Sequence, residues 1–319
     1  MKAATRFVYG SPEVLRIEEM PKPQPKSTEV LVKIHAATVN RTDCANLTAK
    51  PFIMRFVLGL FKPKLPITGT DFSGVVEAVG ESVTRFKVGD KVWGFGDGGL
   101  SSHAEYIAIS ASMPIETIPD TVSFADAAAS AEGAHYACNF INKVKLEPGQ
   151  KILVNGASGA IGSALVQLLK AKMIYVTAVC GTAQMDIIKS IGADRVIDYQ
   201  NEDFTKDGEK YDFVFDAVGK STFAKCKPLL TKKGIYISSE LGPYSQNPFL
   251  ALFTPMMGGK KVIFPIPVDA QASLSLVRVL LENGKFRPLI DRTYSLDEIA
   301  QAYRYVLTGR KIGNIVINI

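Results

Sequence analysis

The sequence predicts an α/β protein in two parts, a β-rich domain and a doubly wound, six-stranded parallel sheet, and three observations carry that prediction. Residues 1 to about 120 alternate strand-like runs with Pro and Gly turns. From "SFADAAASAEGAHYACNFI" onward, helices and short apolar strands alternate as they do in βαβ units. The stretch "KILVNGASGAIGSALVQLLKA", Lys151 to Ala171, joins a strand to a helix through a glycine-spaced turn. A chain of 319 residues is long enough for two such cores.

The elements follow in order. "EVLVKIHAATV", "GVVEAVG", "DKVWGF" and "AEYIAI" are the strands of the first domain, punctuated by "MPKPQPK" and "VGD". "KILVN", "YVTAVC", "RVIDY", "FVFDAV", "GIYISS" and "KVIFPI" are short apolar or β-branched runs suited to a sheet buried on both faces. A helix around Ala272 to Asn283, a strand at "RTYSL", a helix from Leu296 to Thr308 and a final "NIVINI" close the chain. The expected boundaries are 1–121 for the first domain and 122–267 for the second, with 268–319 returning to the first.

With 47% hydrophobic and 21% charged residues, the composition is that of an ordered chain. The net charge of +6 is scattered, without a dense basic run or zinc-finger spacing, so a nucleic-acid partner is not expected. A mild positive field suits an anionic cofactor. Cys44, Cys138, Cys180 and Cys226 are too far apart for a CxxC pair or a disulfide framework, and the N-terminus lacks an apolar signal core, so a cytoplasmic setting is expected. "FIMRFVLGLF", Phe52 to Phe61, is interrupted by Arg55 and too short to cross a bilayer, and no membrane partner is expected. It reads as a buried helix, with the wall of a substrate pocket or a subunit contact as the alternatives.

Gly156, Gly159 and Gly162 follow a strand and open a helix, where backbone amides can face an anion with no Cβ in the way. A dinucleotide pyrophosphate is the natural occupant, held by Gly156, Ala157, Ser158, Gly159, Ala160, Ile161 and Gly162. The spacing is GxxGxxG, one residue looser than the usual fingerprint, and its place at the head of the six strands gives it weight. At the end of the next strand no carboxylate stands ready for the adenosine ribose. Cys180, Gly181 and Thr182 leave room for a 2′-phosphate, to which Thr182 and Tyr199 can donate hydroxyl hydrogens. NADP(H) is therefore expected over NAD(H), although no Arg or Lys follows to clamp the phosphate. Ala217 and Val218, ending a later strand, are expected to complete the cofactor contacts.

These motifs, with "GTDFSGVVEAVGESVTRFKVGDKVWG" from Gly69, "IGADRVIDY" from Ile191 and the closing "GRKIGNIVI", resemble the medium-chain dehydrogenase/reductases along the whole chain. Within them the chain is similar to the zinc-free quinone oxidoreductase and enone reductase branch. The resemblance implies a GroES-like β-domain, a Rossmann domain and a cleft for nicotinamide and substrate between them. Zinc-dependent members hold a metal with Cys, His and Cys, and the corresponding positions here are Asn40, Thr70 and Ser130, a poor ligand set. The loop that would carry four structural cysteines is also missing. His35, His103 and His135 form no HxxxH pair and read as structural. No tyrosine is followed four residues later by lysine, so short-chain dehydrogenase chemistry is not supported.

Without a Lewis acid, a simple ketone or alcohol is a poor substrate, whereas a quinone or α,β-unsaturated carbonyl spreads the charge left by hydride over an oxygen that hydrogen bonds support. The expected activity is zinc-independent, NADPH-dependent transfer of hydride to such an acceptor. Asn40 is the first candidate to contact the acceptor oxygen or the nicotinamide ribose. Asp43 fixes the loop or assists proton delivery, and Thr70 stands with Asp71 at the former metal position. The alternatives are an alcohol or aldehyde dehydrogenase of the same fold and an NADPH-binding interaction protein without turnover. The family and the unpaired edge at "KVIFPI" imply a homodimer.

Overall fold

The computed structural model describes all of residues 1–319 and divides the chain into two compact units, residues 1–132 with 269–319, and residues 133–268.

In the first unit, β1 (Lys2–Thr5) pairs antiparallel with β2 (Arg16–Glu19). The long β3 (Glu29–Val39) is followed by α1 (Arg41–Thr48) and the short α2 (Met54–Leu58). Then come β4 (Asp71–Val79), β5 (Lys91–Phe95), β6 (Tyr106–Ser110), β7 (Ile115–Thr117) and α3 (Phe124–Ala129). Valines and isoleucines of β3 and β4 pack with Phe72, Phe86 and Ile115 into one core.

The second unit opens as α4 (Glu132–Ile141) leaves residue 132. It continues through β8 (Lys151–Asn155), α5 (Ala160–Lys170), β9 (Tyr175–Cys180), α6 (Met185–Ser190), β10 (Arg195–Asp198) and β11 (Tyr211–Asp216). It ends with α7 (Phe223–Cys226), β12 (Leu230–Ser238), α8 (Gln246–Phe253) and β13 (Lys261–Ile263). All six strands are parallel, in the order β10-β9-β8-β11-β12-β13. The order reverses between β8 and β11, so their C-terminal ends form the crevice where such sheets take ligands.

The chain returns to the first unit with α9 (Ala270–Glu282), β14 (Ile290–Ser295), α10 (Ile299–Leu307) and β15 (Asn314–Asn318). There β15 pairs antiparallel with β3 and parallel with β14, completing the order β14-β15-β3-β4-β5-β7, with β6 also on β3.

Three expectations change. The first boundary falls after residue 132 rather than 121, because α3 stays with the β-sheet: Ala128 and Ala129 are buried against Ala36 and Val316. The segment Phe52–Phe61 is not a buried helix, since α2 buries none of its residues and Phe56 is 67% exposed. The sixth strand ends at Ile263, and the prolines at 265 and 267 have no amide hydrogen to extend it.

Candidate active site and dinucleotide cradle

In the first unit, Asn40 caps α1. Its Oδ1 accepts from Asp43 N at 2.8 Å while Asp43 Oδ2 accepts from Asn40 N at 3.1 Å, a reciprocal capping box. Asn40 Nδ2 donates to Thr70 Oγ1 at 2.9 Å, with Asp71 Oδ2 at 3.3 Å. Thr38 donates from its amide to Asp71 Oδ1 at 2.6 Å and from its hydroxyl to Asp71 Oδ2. The structure thus brings Asn40, Asp43 and Thr70 together, but in a buried network. The Asn40 amide hydrogens, expected at an acceptor oxygen or the nicotinamide ribose, are directed to Thr70 and Asp71 inside the protein. Thr70 is fully enclosed as well.

Burial controls the charges. It pushes Asp43 well above the usual carboxylate range, and the nearby Asp71 adds to the effect. It also raises Asp71 to about 7, against the opposing hydrogen bonds from Thr38. His103, wholly buried, has Nε2 2.9 Å from the Thr38 carbonyl, which can only accept, so Nε2 carries the hydrogen and Nδ1 accepts from Thr68 Oγ1. Burial lowers its pKa to about 4, which keeps this neutral tautomer and fits a structural histidine.

Beside the network lies a cavity of about 80 Å³, lined by Arg6, Asp43, Asn46, Leu58, Thr68 and Tyr303 among others. Asp43 Oδ1, Arg6 Nε, Asn46 Oδ1 and the Tyr303 hydroxyl are buried there without hydrogen-bond partners. The volume is several times the ~10–15 Å³ that one water needs, and ordered water satisfies such groups.

Sequence reasoning missed the partly exposed member of this region. Thr42, in the first turn of α1, donates to Glu132 Oε1 at 2.9 Å. Burial raises the pKa of Glu132, with Lys311 pulling the other way. Burial correspondingly lowers Lys311, which Glu132 partly offsets. No short motif links residues 42, 132 and 311, and only the fold reveals the cluster.

In the second unit, Gly156 adopts φ +80°, and a Cβ there would come within 2.6 Å of Val218. A Cβ on Gly162 would meet the Gly156 carbonyl at 2.1 Å, so that glycine serves close packing. Gly159 differs. As N-cap of α5 it has φ −77°, and an added Cβ would have only the Gly156 carbonyl near it, at 3.5 Å. The space before the helix is open, and the first amides of α5 face it without intrahelical acceptors. This cradle of Gly156, Ala157, Ser158, Gly159, Ala160, Ile161 and Gly162 fits a pyrophosphate by its form and its donors.

Asn155 and Asp216, at the ends of adjacent strands, hold the neighbouring loop. Asn155 donates to Asp216 Oδ1 at 3.0 Å, its carbonyl accepts from Ala217 N at 3.0 Å, and Asp216 accepts from Gly219 N at 2.9 Å and from Tyr236 Oη at 2.8 Å. Ala217 and Val218 are thereby fixed beside Gly156. The sequence reading named the loop residues without the two polar groups beneath them.

At the end of β9, Cys180 is buried and accepts from Tyr199 N at 3.1 Å. A Cβ on Gly181 would lie 2.7 Å from Gln184 Oε1, 3.2 Å from Gln200 Oε1 and 3.5 Å from the Tyr199 hydroxyl, so three polar side chains converge on it. Thr182 does not have the free hydroxyl expected of it: its Oγ1 donates to Asp198 Oδ2. Asp198 also accepts from Gln200 N at 3.0 Å and Asn201 Nδ2 at 2.7 Å, and the Thr182 bond leads in lowering its pKa. A carboxylate therefore stands nearby after all, contributed by β10, buried and well supplied with donors.

Comparison with known proteins places this geometry in a family. Residues 26–120 match the alcohol dehydrogenase GroES-like domain, and residues 191–317 match the zinc-binding dehydrogenase domain. The chain is 32% identical to a chloroplastic quinone-oxidoreductase QR1 of Triphysaria versicolor, over 99% of this chain and 98% of the relative. It is also 32% identical to a 2-methylene-furan-3-one reductase of Solanum lycopersicum, over 100% of this chain and 79% of that protein. Among solved structures, a quinone oxidoreductase from Coxiella burnetii superposes with a TM-score of 0.86 at 25% identity, covering 100% of this chain and 99% of that one. The chain belongs to the medium-chain dehydrogenase/reductase superfamily, in its quinone oxidoreductase and enone reductase branch.

Proposed function

We propose that the protein is an NADPH-dependent reductase of quinones or α,β-unsaturated carbonyls that works without zinc. Two relatives named for quinone and enone reduction, each matched along nearly all of this chain, support the reaction class. The observation that carries the mechanism is the Thr42–Glu132 pair, a partly exposed hydroxyl on a buried carboxyl whose pKa is raised. A bound reduced nicotinamide supplies the hydride. Reduction to the hydroquinone or saturated carbonyl also consumes one proton. Protonated Glu132 can donate to Thr42 Oγ1 and turn the Thr42 hydroxyl hydrogen outward, toward the oxygen of a reduced quinone or the α-carbon of an enolate. Asn40 and Asp43 then act as positioning residues, since their capping box fixes the turn that carries Thr42.

Zinc independence rests on the donor set. Asn40 and Thr70 are hydrogen-bonded to each other, the Ser130 hydroxyl donates to the Asp126 carbonyl at 2.7 Å, and no cluster of three or more His, Cys, Asp or Glu side chains stands at metal-binding spacing. The preference for NADP(H) rests on the Gln184, Tyr199 and Gln200 side chains around Gly181. A homodimer through β13 is supported by its position at the sheet edge. A cytoplasmic setting is supported by four buried cysteines that form no disulfide, while relatives carry chloroplastic and mitochondrial names.

The test is NADPH oxidation across quinones, enones and aldehydes, with Thr42→Val and Glu132→Gln beside the wild type. Both variants should lower kcat at least tenfold, about 1.4 kcal/mol of barrier, with little change in KM. As an acid, Glu132 must be protonated, so wild-type kcat should fall as pH rises through its raised pKa. Glu132→Gln should lose that limb. An unchanged pH profile would remove Glu132 from the mechanism, and aldehyde turnover sensitive to chelators would favour the zinc alternative.

A further inference from the structure

Val57, Leu58, Lys64 and Leu65 of the segment Lys50–Leu65, "KPFIMRFVLGLFKPKL", line the cavity beside Asp43, and the segment makes no hydrogen bond to the network. Its large side chains face outward: Ile53 is 70% exposed and Phe61 is 89% exposed, with Phe52, Phe56 and Val57 close behind. The patch extends to Phe7 and Val8, both more than half exposed. Tyr9 joins the two runs, because its hydroxyl donates to the Gly59 carbonyl at 2.7 Å and its ring lies 5.0 Å from the Arg55 guanidinium. Arg55 also lies 5.5 Å over the Phe52 ring.

The charge of this surface has one sign. Lys50, Arg55, Lys62 and Lys64 fall within these sixteen residues, which contain no Asp or Glu, and none of the four forms an ion pair. The loop at Gly98 and Gly99, which lines the same cavity as Leu65, adds one carboxylate, Asp97. A partner must therefore be apolar and anionic together. It must also accept an irregular turn, a five-residue helix and another turn without a shaped groove. An anionic bilayer surface supplies both chemistries in layers and requires no fitted shape.

We propose that residues 50–65, with Phe7 and Val8, dock the protein onto anionic lipid bilayers, with the aromatic side chains entering the interface and the cations meeting the headgroups. The segment lies on the bilayer and does not span it, and no helix of the chain is long and apolar enough to cross. The docking is independent of the proton relay.

Sedimentation of the full chain with phosphatidylcholine vesicles, with and without phosphatidylserine, tests it. The wild type should pellet with the phosphatidylserine vesicles and be released by salt. Lys50→Glu with Lys62→Glu should lower partitioning more than tenfold, and Phe56→Ser with Phe61→Ser should abolish it at unchanged Tm. Equal binding to both vesicle types, or binding indifferent to both double variants, would overturn the proposal. So would a fall from dimer to monomer in the phenylalanine variant, which would give the face to a second copy. A raised KM of that variant for a water-soluble quinone without vesicles would assign the face to the acceptor instead. Vesicle binding is read without turnover, so its failure leaves the reductase reading standing.

Discussion

The two units carry polar clusters of opposite construction. In the first, Thr38, Asn40, Asp43, Thr70 and Asp71 are buried and hydrogen-bond one another, leaving Asp43 Oδ1 to the cavity, so the cluster fixes backbone and holds unusual protonation states. In the second, Asn155 and Asp216 are buried beneath a turn whose own surface is bare, and they hold that turn open for something else. A closed network is revealed by its pKa values. An open cradle is revealed by the side chains it lacks.

Gly159→Asp tests the contrast most strongly. The fold has room at this position, so thermal stability should hold, while a carboxylate placed before α5 should weaken NADPH by roughly a hundredfold, about 2.7 kcal/mol. Titration of a folded variant showing normal affinity would leave the turn without its ligand. Asp216→Ala should do the reverse and cost about 2 kcal/mol of stability, because Asn155, Tyr236 and loop amides lose their acceptor in the interior. A chemical denaturation midpoint equal to wild type would show that the loop holds itself.

The closed network should be visible in stability against pH. Asp71, raised to about 7 in the folded state, ionises first in the unfolded chain, near its ordinary value of 3.8. Its contribution is fully present below about 3.8 and is lost as pH rises to about 7, with a slope of up to ~1.4 kcal/mol per pH unit. His103, lowered to about 4, opposes it between about 4 and 6.5. Asp71→Asn should abolish the Asp71 slope whatever its absolute cost, and denaturation across this range reads it. An identical slope in the variant would mean that Asp71 is ionised in the folded protein.

The same contrast explains what could be read from the sequence. The strand "EVLVKIHAATV" coincides with β3, and the six parallel strands were visible as apolar runs, because periodicity and burial are local properties. The cradle was legible because glycine at a strand-to-helix turn has few other uses. The fate of Asn40 was not, since whether an amide is open or occupied depends on Thr70 and Asp71, thirty residues away. Thr182 misled for a related reason: its hydroxyl partner, Asp198, comes from the neighbouring strand. The segment at Phe52–Phe61 looked like core because composition alone does not say which apolar runs find a partner.

The smallest expected effect lies where the two kinds of construction meet, at the end of β9. Gly181 is bare like the cradle, yet Gln184, Tyr199 and Gln200 surround it and Asp198 lies behind Thr182. Its φ of −85° suits any residue, so Gly181→Asp changes the chemistry without straining the backbone. The new Cβ would displace the flexible end of Gln184, 2.7 Å away, and press on that of Gln200, 3.2 Å away. The added carboxylate should repel a 2′-phosphate and accept from a ribose hydroxyl. NADPH affinity should fall about fivefold, ~1 kcal/mol, and NADH affinity should hold or rise. Paired titrations of wild type and variant with both dinucleotides decide it. If wild type binds NADH the more tightly, Asp198 already fills the ribose-binding role, and the three side chains around Gly181 do not select for phosphate.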